Sequence, residues 1–345
     1  MATFACARGR LPQARAVIRQ QPRDFRVCEH CPVELAGEGE HLWLQVEKTG
    51  LNSGQIVSWL AAAAAVRPRD VGFSGHKDRW AVTRQWFSLP WPIHGSSETL
   101  VPPAAQWPAG GSARILAQRR HTRKLKRGTH DANTFVLTLR DVCGERVQIE
   151  NDLERIAHEG VPNYFGPQRF GHQGHNLALA RTLFAGRRLR RDKRGFALSA
   201  ARSFLFNNVL DARVRAHNWQ MLIAGEAVML AGSHSVFSSE GQNAADLQRR
   251  LAVFDIHPSG PLAGESRGQP VVTGAAAQFE QDILDAHLDL VDGLIAARVA
   301  AARRALRLQA SNLDWQWLDT DVLQLRFSLP TGAFATSVLR EVVAT

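Results

Sequence analysis

The stretch from Gly75 to Gln85, GHKDRWAVTRQ, places one carboxylate between two cations. Asp78 lies between Lys77 and Arg79, on a polar turn that joins two strand-like segments. A carboxylate can act as a nucleophile or as a general base, and a nearby cation favours its ionised form. The same residues could equally form a surface turn held by ion pairs, and composition alone leaves both interpretations open.

Other motifs with known chemistry are missing or incomplete. The sequence contains neither GxxxxGK[ST] nor GxGxxG, which gives no support to nucleotide-driven or NAD chemistry. Cys28 and Cys31 have the spacing of half a zinc site, but no second CxxC or HxxxH follows. His172 and His175 in GHQGH are interpreted as turn residues. No Ser or Cys lies in a recognisable nucleophile elbow, and we expect no metal site.

The charge balance points to a polyanionic partner. The 345 residues include 42 Lys and Arg against 32 Asp and Glu, a formal net charge of +10. Arg119–Arg127 has six cations in nine positions and no acid, and Arg187–Arg194 has six in eight. A charge run is commonly a solvated face, but two such runs favour nucleic acid over a membrane surface. Trp80, Trp86 and Phe87 could stack on RNA bases or belong to the core.

Composition is that of an ordinary globular protein. Hydrophobic residues make up 45% and charged residues 21%, which excludes wholesale disorder. The longest apolar run, Trp59–Val66, is far shorter than the roughly 20 residues of a membrane span. Four cysteines cannot form a disulfide framework in so long a chain, so a reducing compartment is expected. The Arg-rich start is compatible with a transit peptide, but an ordinary domain start is preferred.

The order of predicted elements is sheet-rich, helix-rich and again sheet-rich. Alternation and capping patterns predict strands at 25–29, 42–46, 71–73, 82–89 and 135–139, with helices at 52–66 and 149–158. Helices are predicted at 200–217, 276–288 and 292–308, around a Pro/Gly-rich separator at 257–270. A strand at 322–327 and a closing helix at 336–343 follow. This order predicts a mixed α/β (α+β) domain formed by residues 1–158 and 309–345, with residues 159–308 inserted.

GHKDRWAVTRQWFSL resembles the signature GxKDRxAxTxQ of TruD-type tRNA pseudouridine synthases. The resemblance spans almost the whole chain, because further blocks match in the same order. These blocks are PRDFRVCE (22–29), GEGEHLWLQVEKTGLNS (37–53), ANTFVLTLR (132–140), VPNYFGPQRFG (161–171), LSAARSFLFN (198–207) and LPTGAFATSVLRE (329–341). Several long blocks in the right order are far more specific than any single motif.

The resemblance implies a reaction, a fold and a partner. The reaction converts uridine to pseudouridine, characteristically at position 13 of tRNAs such as tRNA-Glu: the C1′–N1 bond breaks, the uracil turns, and C5 bonds to C1′. The implied fold is a pseudouridine synthase catalytic domain, with a mixed or antiparallel sheet flanked by helices, and an inserted helix-rich TRUD domain. No electron, phosphate or water is consumed, so no cofactor is expected. We expect a cytoplasmic, monomeric enzyme that binds tRNA and no membrane.

Carried onto this sequence, the resemblance makes Asp78 the catalytic carboxylate. It could add to the ribose or to the base, or remove a ribose proton to give a glycal, and each route needs it ionised in a pocket that admits an everted uracil. Burial can raise an Asp pKa by about 3–5, and a cation about 4 Å away lowers it again by about 3. A close cation is therefore required. Arg19 aligns with the family's basic residue, while Lys77 and Arg79 are nearer in sequence.

Further roles are implied by the matched blocks. Phe25, Asn133 and Phe334 are expected to contact the target nucleotide. Phe135 stands where most other pseudouridine synthases have a tyrosine beside the catalytic Asp. Glu29 is a candidate for orienting a basic side chain. For the three phenylalanines the alternative is plain core packing.

Two positions depart from the family pattern, and two other functions stay open. Arg23 stands where an acid is common and Arg19 where a lysine is common. The chain could be a basic RNA-binding protein without catalysis, or a metal-dependent RNA enzyme that uses Cys28, Cys31 and a nearby His. If the resemblance holds, the insertion with Arg187–Arg194 is expected to grip tRNA across a cleft from the catalytic sheet.

Overall fold

The computed structural model describes residues 4–34, 36–92, 100–103, 107–268 and 272–345. The strands are β1 Arg15–Val17, β2 Phe25–His30, β3 His41–Thr49, β4 Gly72–Phe73, β5 Val82–Pro90, β6 Ser112–His121, β7 Ala132–Cys143, β8 Val161–Pro162, β9 Ala227–Leu230, β10 Val236–Ser238, β11 Ile256–Leu262, β12 Ala302–Ala305, β13 Arg307–Leu308, β14 Ser311–Asp319 and β15 Val322–Pro330. The α-helices are α1 Ser53–Ala63, α2 Arg146–Glu159, α3 His175–Phe184, α4 Arg191–Arg215, α5 Ala244–Ala252, α6 Gly274–Leu284, α7 Leu288–Ala296 and α8 Ala335–Leu339.

The chain divides into two compact units. The sheet unit comprises Ala14–Glu145 and Ser311–Gly332, together with the last residue. The helical unit comprises Met1–Gln13, Arg146–Ala310 and Ala333–Ala344. This division differs from the predicted domain boundaries at α2 and at the two terminal segments, so those boundaries stay a prediction about domain organisation.

The sheet unit is built on one large mixed sheet, as the sequence predicts. The strand order is β14-β15-β7-β2-β5-β3-β6, with β1 added at β7 and β4 at β5. Neighbouring strands are antiparallel except β2 and β5, which run parallel with Arg26 opposite Val82. Because parallel strands begin at the same edge of a sheet, the residues that precede β2 and β5 meet at one end. Arg19 and Asp78 both belong to those segments.

Helix α1 packs on this sheet and begins beside the turn that precedes β5. Asn52 caps its start: the Asn52 side chain accepts from the backbone N–H of Gln55, and the Gln55 side chain accepts from the backbone N–H of Asn52. Ile56 and Leu60, four residues apart on one face, are fully buried in the cluster that contains Leu44 and other sheet side chains. Packing of that face fixes the first turn of α1 against the sheet.

The helical unit is centred on the long helix α4. Ala197, Ala201 and Leu205 on one face of α4 pack with residues of α3 and α7. Phe206 and Leu210 belong to a second cluster with Tyr164. This unit also contains a four-stranded sheet in the order β10-β9-β11-β12 and a short β8–β13 pair. Among the described residues, no helix combines the length and the apolar character needed to cross a bilayer.

Two predictions in this unit are wrong, and a third is right in kind but too long. The predicted helix 292–308 ends early, because residues 302–305 pair with β11 and residues 307–308 with β8. Ala, Arg and Leu favour helix locally, but tertiary strand pairing overrides that preference. The predicted separator 257–270 contains most of β11, and the predicted closing helix 336–343 is the shorter α8.

Candidate active site

Residues 74–81 form a turn whose backbone is held by buried polar side chains. Ser53, the first residue of α1, accepts from the backbone N–H of Lys77 (3.0 Å) and donates to Gln85 Oε1 (2.8 Å). Gln85 on β5 donates through Nε2 to the carbonyl of Gly75 (2.5 Å). Ser53 and Gln85 are fully buried. The turn is therefore fixed to both α1 and β5, and the Gln of the matched signature has a structural reason to be there.

A buried lysine holds the carbonyl of Asp78 itself. Lys48 on β3 has no exposed surface, and its Nζ donates to the carbonyls of Leu51 (2.6 Å) and Asp78 (3.0 Å). Burial lowers the pKa of Lys48 to about 8, although the negative charge of Asp78 opposes that change. Lys48 thus fixes the backbone position of Asp78 from the inner side of the turn.

The sequence analysis did not identify Lys48, although a signal was present. Leu44, Val46 and Lys48 occupy alternate positions of β3, and all three are fully buried. A lysine at an inward position of an alternating strand is unusual, because burying an ammonium requires acceptors that offset lost hydration. Such a lysine predicts that backbone carbonyl groups lie close enough to accept hydrogen bonds from it.

The carboxylate of Asp78 pairs with Arg19. Arg19 Nη2 lies 2.8 Å from Asp78 Oδ2, and the two side chains are 33% and 58% exposed. The guanidinium of Arg19 stacks over the Phe25 ring, 4.0 Å from its centroid, and the Arg19 carbonyl accepts from the indole N–H of Trp80 (3.0 Å). Phe25 and Trp80 thus hold Arg19 in place. Asp78 is more open than the enclosing pocket expected for it.

The two cations beside Asp78 in sequence have other partners. Lys77 Nζ lies 3.2 Å from Glu29 Oε2, and both side chains are buried. Arg79 donates through Nε to the carbonyl of Gly50 (3.0 Å). Burial raises the pKa of the Glu29 carboxyl, and the charge of Lys77 lowers it again in part. Glu29 orients Lys77, and Arg19 is the cation that pairs with the Asp78 carboxylate.

Asn133 and Phe135 lie on β7, beside β2. Asn133 is opposite Glu29 in the β2–β7 ladder, and its buried Oδ1 has no hydrogen-bond partner within the described part of the chain. Phe135 stacks on Phe327 at 5.6 Å between ring centroids and meets Phe25 edge-on at 6.2 Å. Phe25 and Phe135 are only 4% and 8% exposed. Both rings therefore contribute to the core under the site.

Phe334 belongs to the helical unit. It precedes α8 in the helical unit and packs, half-buried, against the aromatic cluster that contains Tyr164 and Phe165. The other candidates, Arg19, Phe25, Glu29, Lys77, Arg79, Asn133 and Phe135, lie on the sheet unit with Asp78. The sheet unit by itself thus assembles one carboxylate, its cation and the side chains that hold them.

His130 contacts the first residue of the turn, Ser74, and is neutral at neutral pH. Its backbone N–H donates to Ser74 Oγ (3.3 Å), and its side chain is buried. Burial, with a smaller effect from the positive charge of Lys77, lowers the pKa of His130 to about 4. His130 therefore adds no positive charge near the turn at neutral pH.

The residues considered for metal binding do not form a cluster. Cys28 and Cys31 are free thiols, and burial raises the pKa of both. Across the described ranges, no three side chains of metal-ligating type come together.

The two basic runs differ in how they are held. In the first run, Arg120 donates to the carbonyls of Gly39 (3.2 Å) and Pro92 (2.7 Å), Lys124 donates to the carbonyl of Arg69 (2.6 Å), and Leu125 is buried. In the second run, the Arg and Lys side chains from 187 to 194 are all exposed. Part of the first run is thus structural, whereas the second faces solvent.

Sequence comparisons identify relatives over nearly the full length. The family model described as tRNA pseudouridine synthase D (TruD) matches residues 9–188 and 184–342. The tRNA pseudouridine synthase D of Ectopseudomonas mendocina is 45% identical over 332 residues, which cover 95% of this chain and 91% of that protein. The enzyme of the same name from Nitrosococcus oceani is 44% identical over 337 residues, covering 97% and 92%.

A solved structure shares the fold. It is a tRNA pseudouridine synthase D (TruD) from Methanosarcina mazei, similar with a TM-score of 0.71. The similarity covers 95% of this chain and 93% of that chain, at 19% sequence identity.

Proposed function

The chain belongs to the tRNA pseudouridine synthase D (TruD) family and is a tRNA pseudouridine synthase, an isomerase; from that premise we propose that Asp78 is its catalytic carboxylate and uridine 13 of tRNA its target. One observation carries this proposal. Asp78 is presented to solvent by a turn that buried side chains hold, with the Arg19 guanidinium 2.8 Å away. An ionised carboxylate on a rigid support is what each chemical route requires.

The Arg19–Asp78 pair gains importance when RNA covers it. An exposed ion pair contributes about 0–1 kcal/mol, because water screens both charges. At about 4 Å and an effective dielectric near 20, the same attraction amounts to about 4 kcal/mol. An everted uracil seated over the turn would displace water from Asp78, so the attraction between Arg19 and the carboxylate would be screened less.

The bond changes need no group beyond the protein and the uridine. The C1′–N1 bond breaks, the C5–C1′ bond forms, C5 loses its proton and N1 gains one. The Asp78 carboxylate assists by adding to the ribose or the base, or by taking a ribose proton. In each case the negative charge at Asp78 drives the step, and Arg19 stabilises that charge while the carboxylate is not bonded.

We propose that Asn133, Phe25 and Phe334 contact the target nucleotide. The amide of Asn133 carries a donor and an acceptor, which match the N3–H and the carbonyl oxygens of uracil. Arg19 covers one face of the Phe25 ring, and Phe25 is only 4% exposed, so little of that ring is left to meet a nucleotide. Phe25 also has a second task, since it supports Arg19.

Other parts of the chain support the tRNA partner and the compartment. The exposed cations of Arg187–Arg194 are suited to phosphate groups, and we propose that they bind tRNA. The four free cysteines support a cytoplasmic enzyme. We retain residues 1–158 with 309–345 as the catalytic domain and 159–308 as the insertion.

Mapping the modified nucleotide tests this function. Unmodified tRNA transcripts with uridine at position 13, and matched transcripts with cytidine there, are incubated with the protein and mapped by carbodiimide labelling. We expect one pseudouridine, at position 13, in the first set and none in the second. Pseudouridine at another position would contradict the target. Transcripts that are bound but unchanged would contradict the activity itself and favour an RNA-binding protein.

A further inference from the structure

One face of the first two turns of α4 is uncovered. Asp192, Gly195, Phe196 and Ser199 are spaced so that they share one side of the helix, and they line an open depression of about 890 Å³. Phe196 is 62% exposed, whereas Ala197 and other residues of the opposite face are fully buried. A phenylalanine placed in water at a cavity wall is a surface suited to an apolar or aromatic group.

Glycine 195 has no local structural reason to be glycine. It lies inside α4 with helical backbone geometry, and a Cβ built on it would meet nothing within 4 Å. Glycine in a helix interior destabilises the helix relative to alanine. What glycine provides here is a flat, open area beside the Phe196 ring. A planar group stacked on Phe196 would use that area.

Arginines surround this face. Arg190 and Arg191 are exposed at the start of α4, and Arg169 closes the depression on the other side. The Arg169 guanidinium donates to Ser199 Oγ (3.0 Å), and its Nε finds no hydrogen-bond acceptor in the described ranges. The single acid, Asp192, lies 3.9 Å from Arg190 and offsets one charge. The depression therefore combines an aromatic plane with a net positive charge.

We propose that this face of α4 is a separate RNA subsite, in which Phe196 stacks on an unpaired base of the bound tRNA while Arg169 and Arg191 contact its phosphates. The proposal rests on the proposed function only in taking tRNA as the ligand. Charge complementarity selects RNA over an apolar protein partner, because several arginines at an exposed aromatic ring match a phosphodiester chain with a splayed base. Asp192 adds an acceptor for an amino group on that base.

Substitution of Phe196 tests stacking separately from charge. Base–aromatic stacking is worth about 1–3 kcal/mol, so F196A is expected to weaken binding of unmodified tRNA about 5- to 150-fold. F196W keeps an aromatic plane and is expected to bind nearly as the parent protein does. Val253→Ala removes another exposed apolar side chain of the same unit and is the matched control. Binding is measured by filter retention at several salt concentrations.

The salt dependence separates the two components of the subsite. F196A is expected to leave the slope of log K against log salt unchanged, because a stacked base releases no counterions. R191A is expected to reduce that slope by about 0.7–0.9. Unchanged tRNA affinity in F196A, with an intact thermal transition, would overturn the subsite and would leave the face to another partner.

The failure of this proposal and that of the proposed function are distinguishable. Pseudouridine formation is measured beside binding, and Val253→Ala, which lies outside the proposed subsite, is the variant expected to keep the parent rate. A protein that binds tRNA through Phe196 but forms no pseudouridine would contradict the proposed function while leaving the subsite intact. If the enzyme is fully active but F196A binds tRNA with the parent affinity, the subsite is contradicted and the proposed function is retained.

Discussion

The turn that holds Asp78 and the start of α4 are both rich in cations, but they use them differently. At the turn, Lys77 pairs with buried Glu29, Arg79 bonds to a backbone carbonyl and Arg19 pairs with Asp78. At the start of α4, the Arg and Lys side chains are exposed around the open ring of Phe196. The cations of the turn are held by specific acceptors of the protein, whereas those at the start of α4 are mostly exposed to solvent and can meet a polyanion.

This difference teaches that local charge density does not identify a reactive site. A cation in an active site is held by specific acceptors, so its removal is expected to change the rate of the reaction. A cation on a binding face has water as its main partner, so its removal is expected to change a salt-dependent affinity. Variants of the two regions test whether effects on rate and effects on salt-dependent affinity separate in this way.

Replacement of Arg19 should damage the reaction more than binding. When RNA covers the site, R19M leaves a carboxylate without its cation, a loss of about 3–5 kcal/mol, or about 150- to 5,000-fold in rate. R19K should retain part of the activity because it keeps the charge. The measurement is the single-turnover rate at saturating protein. R67M, which breaks the surface pair of Arg67 with Asp70, is the control, and an equal loss there would contradict a specific role.

Replacement of Lys48 tests whether the Asp78 backbone must be held. K48M keeps the side-chain volume but leaves the carbonyls of Leu51 and Asp78 without their donor, at about 1–3 kcal/mol for a buried carbonyl. We expect a rate about 10- to 100-fold lower with unchanged tRNA affinity, because the turn loosens while the binding face is intact. K124M removes another lysine–carbonyl bond of the same unit and serves as the control. A parent-like rate in K48M would remove Lys48 from positioning.

Neutralising part of the exposed run should act on binding alone. Replacing Arg187, Arg188 and Lys193 together by alanine should lower the slope of log K against log salt by about 2, if each contacts a phosphate. Pseudouridine formation at saturating protein should be unchanged. R249A removes an exposed but paired arginine elsewhere in the unit and should leave the slope as it is. A triple variant with the parent slope would contradict phosphate binding by this run.

The smallest expected effect is a dependence of stability on pH. The pKa of Lys48 is about 8 in the folded chain and near 10.4 when unfolded, so the buried ammonium lowers stability while it is protonated. The folded state loses this proton first, and the free energy of unfolding should therefore rise between pH 8 and about 10.4. Urea unfolding of K48M should lack this rise. An identical pH profile in K48M would show that Lys48 does not titrate there.

The sequence predicts much of the sheet unit and the location of the turn. Alternation along β2, β3, β5 and β7 and the Asn52 cap of α1 are local signals, and the matched signature points to Asp78. The ion pair is not a local signal. Arg19 is 59 residues from Asp78 and reaches it because β2 and β5 run parallel. This long-range pairing cannot be predicted from any short stretch of sequence. The role of Lys48 could not be predicted from the sequence either, because only the folded chain brings together the two carbonyls to which it donates.

We expect the Asp78 carboxylate to perform the chemistry, while the surrounding cations only hold the carboxylate or bind tRNA. Since C5 exchanges its hydrogen for C1′, tRNA labelled with tritium at C5 of uridine reports the reaction by released tritium. We predict that D78N, at saturating concentration, binds this tRNA with the parent affinity and releases no tritium, while D70N releases it at the parent rate. Tritium release by D78N at the parent rate would show that a group other than the Asp78 carboxylate performs the chemistry.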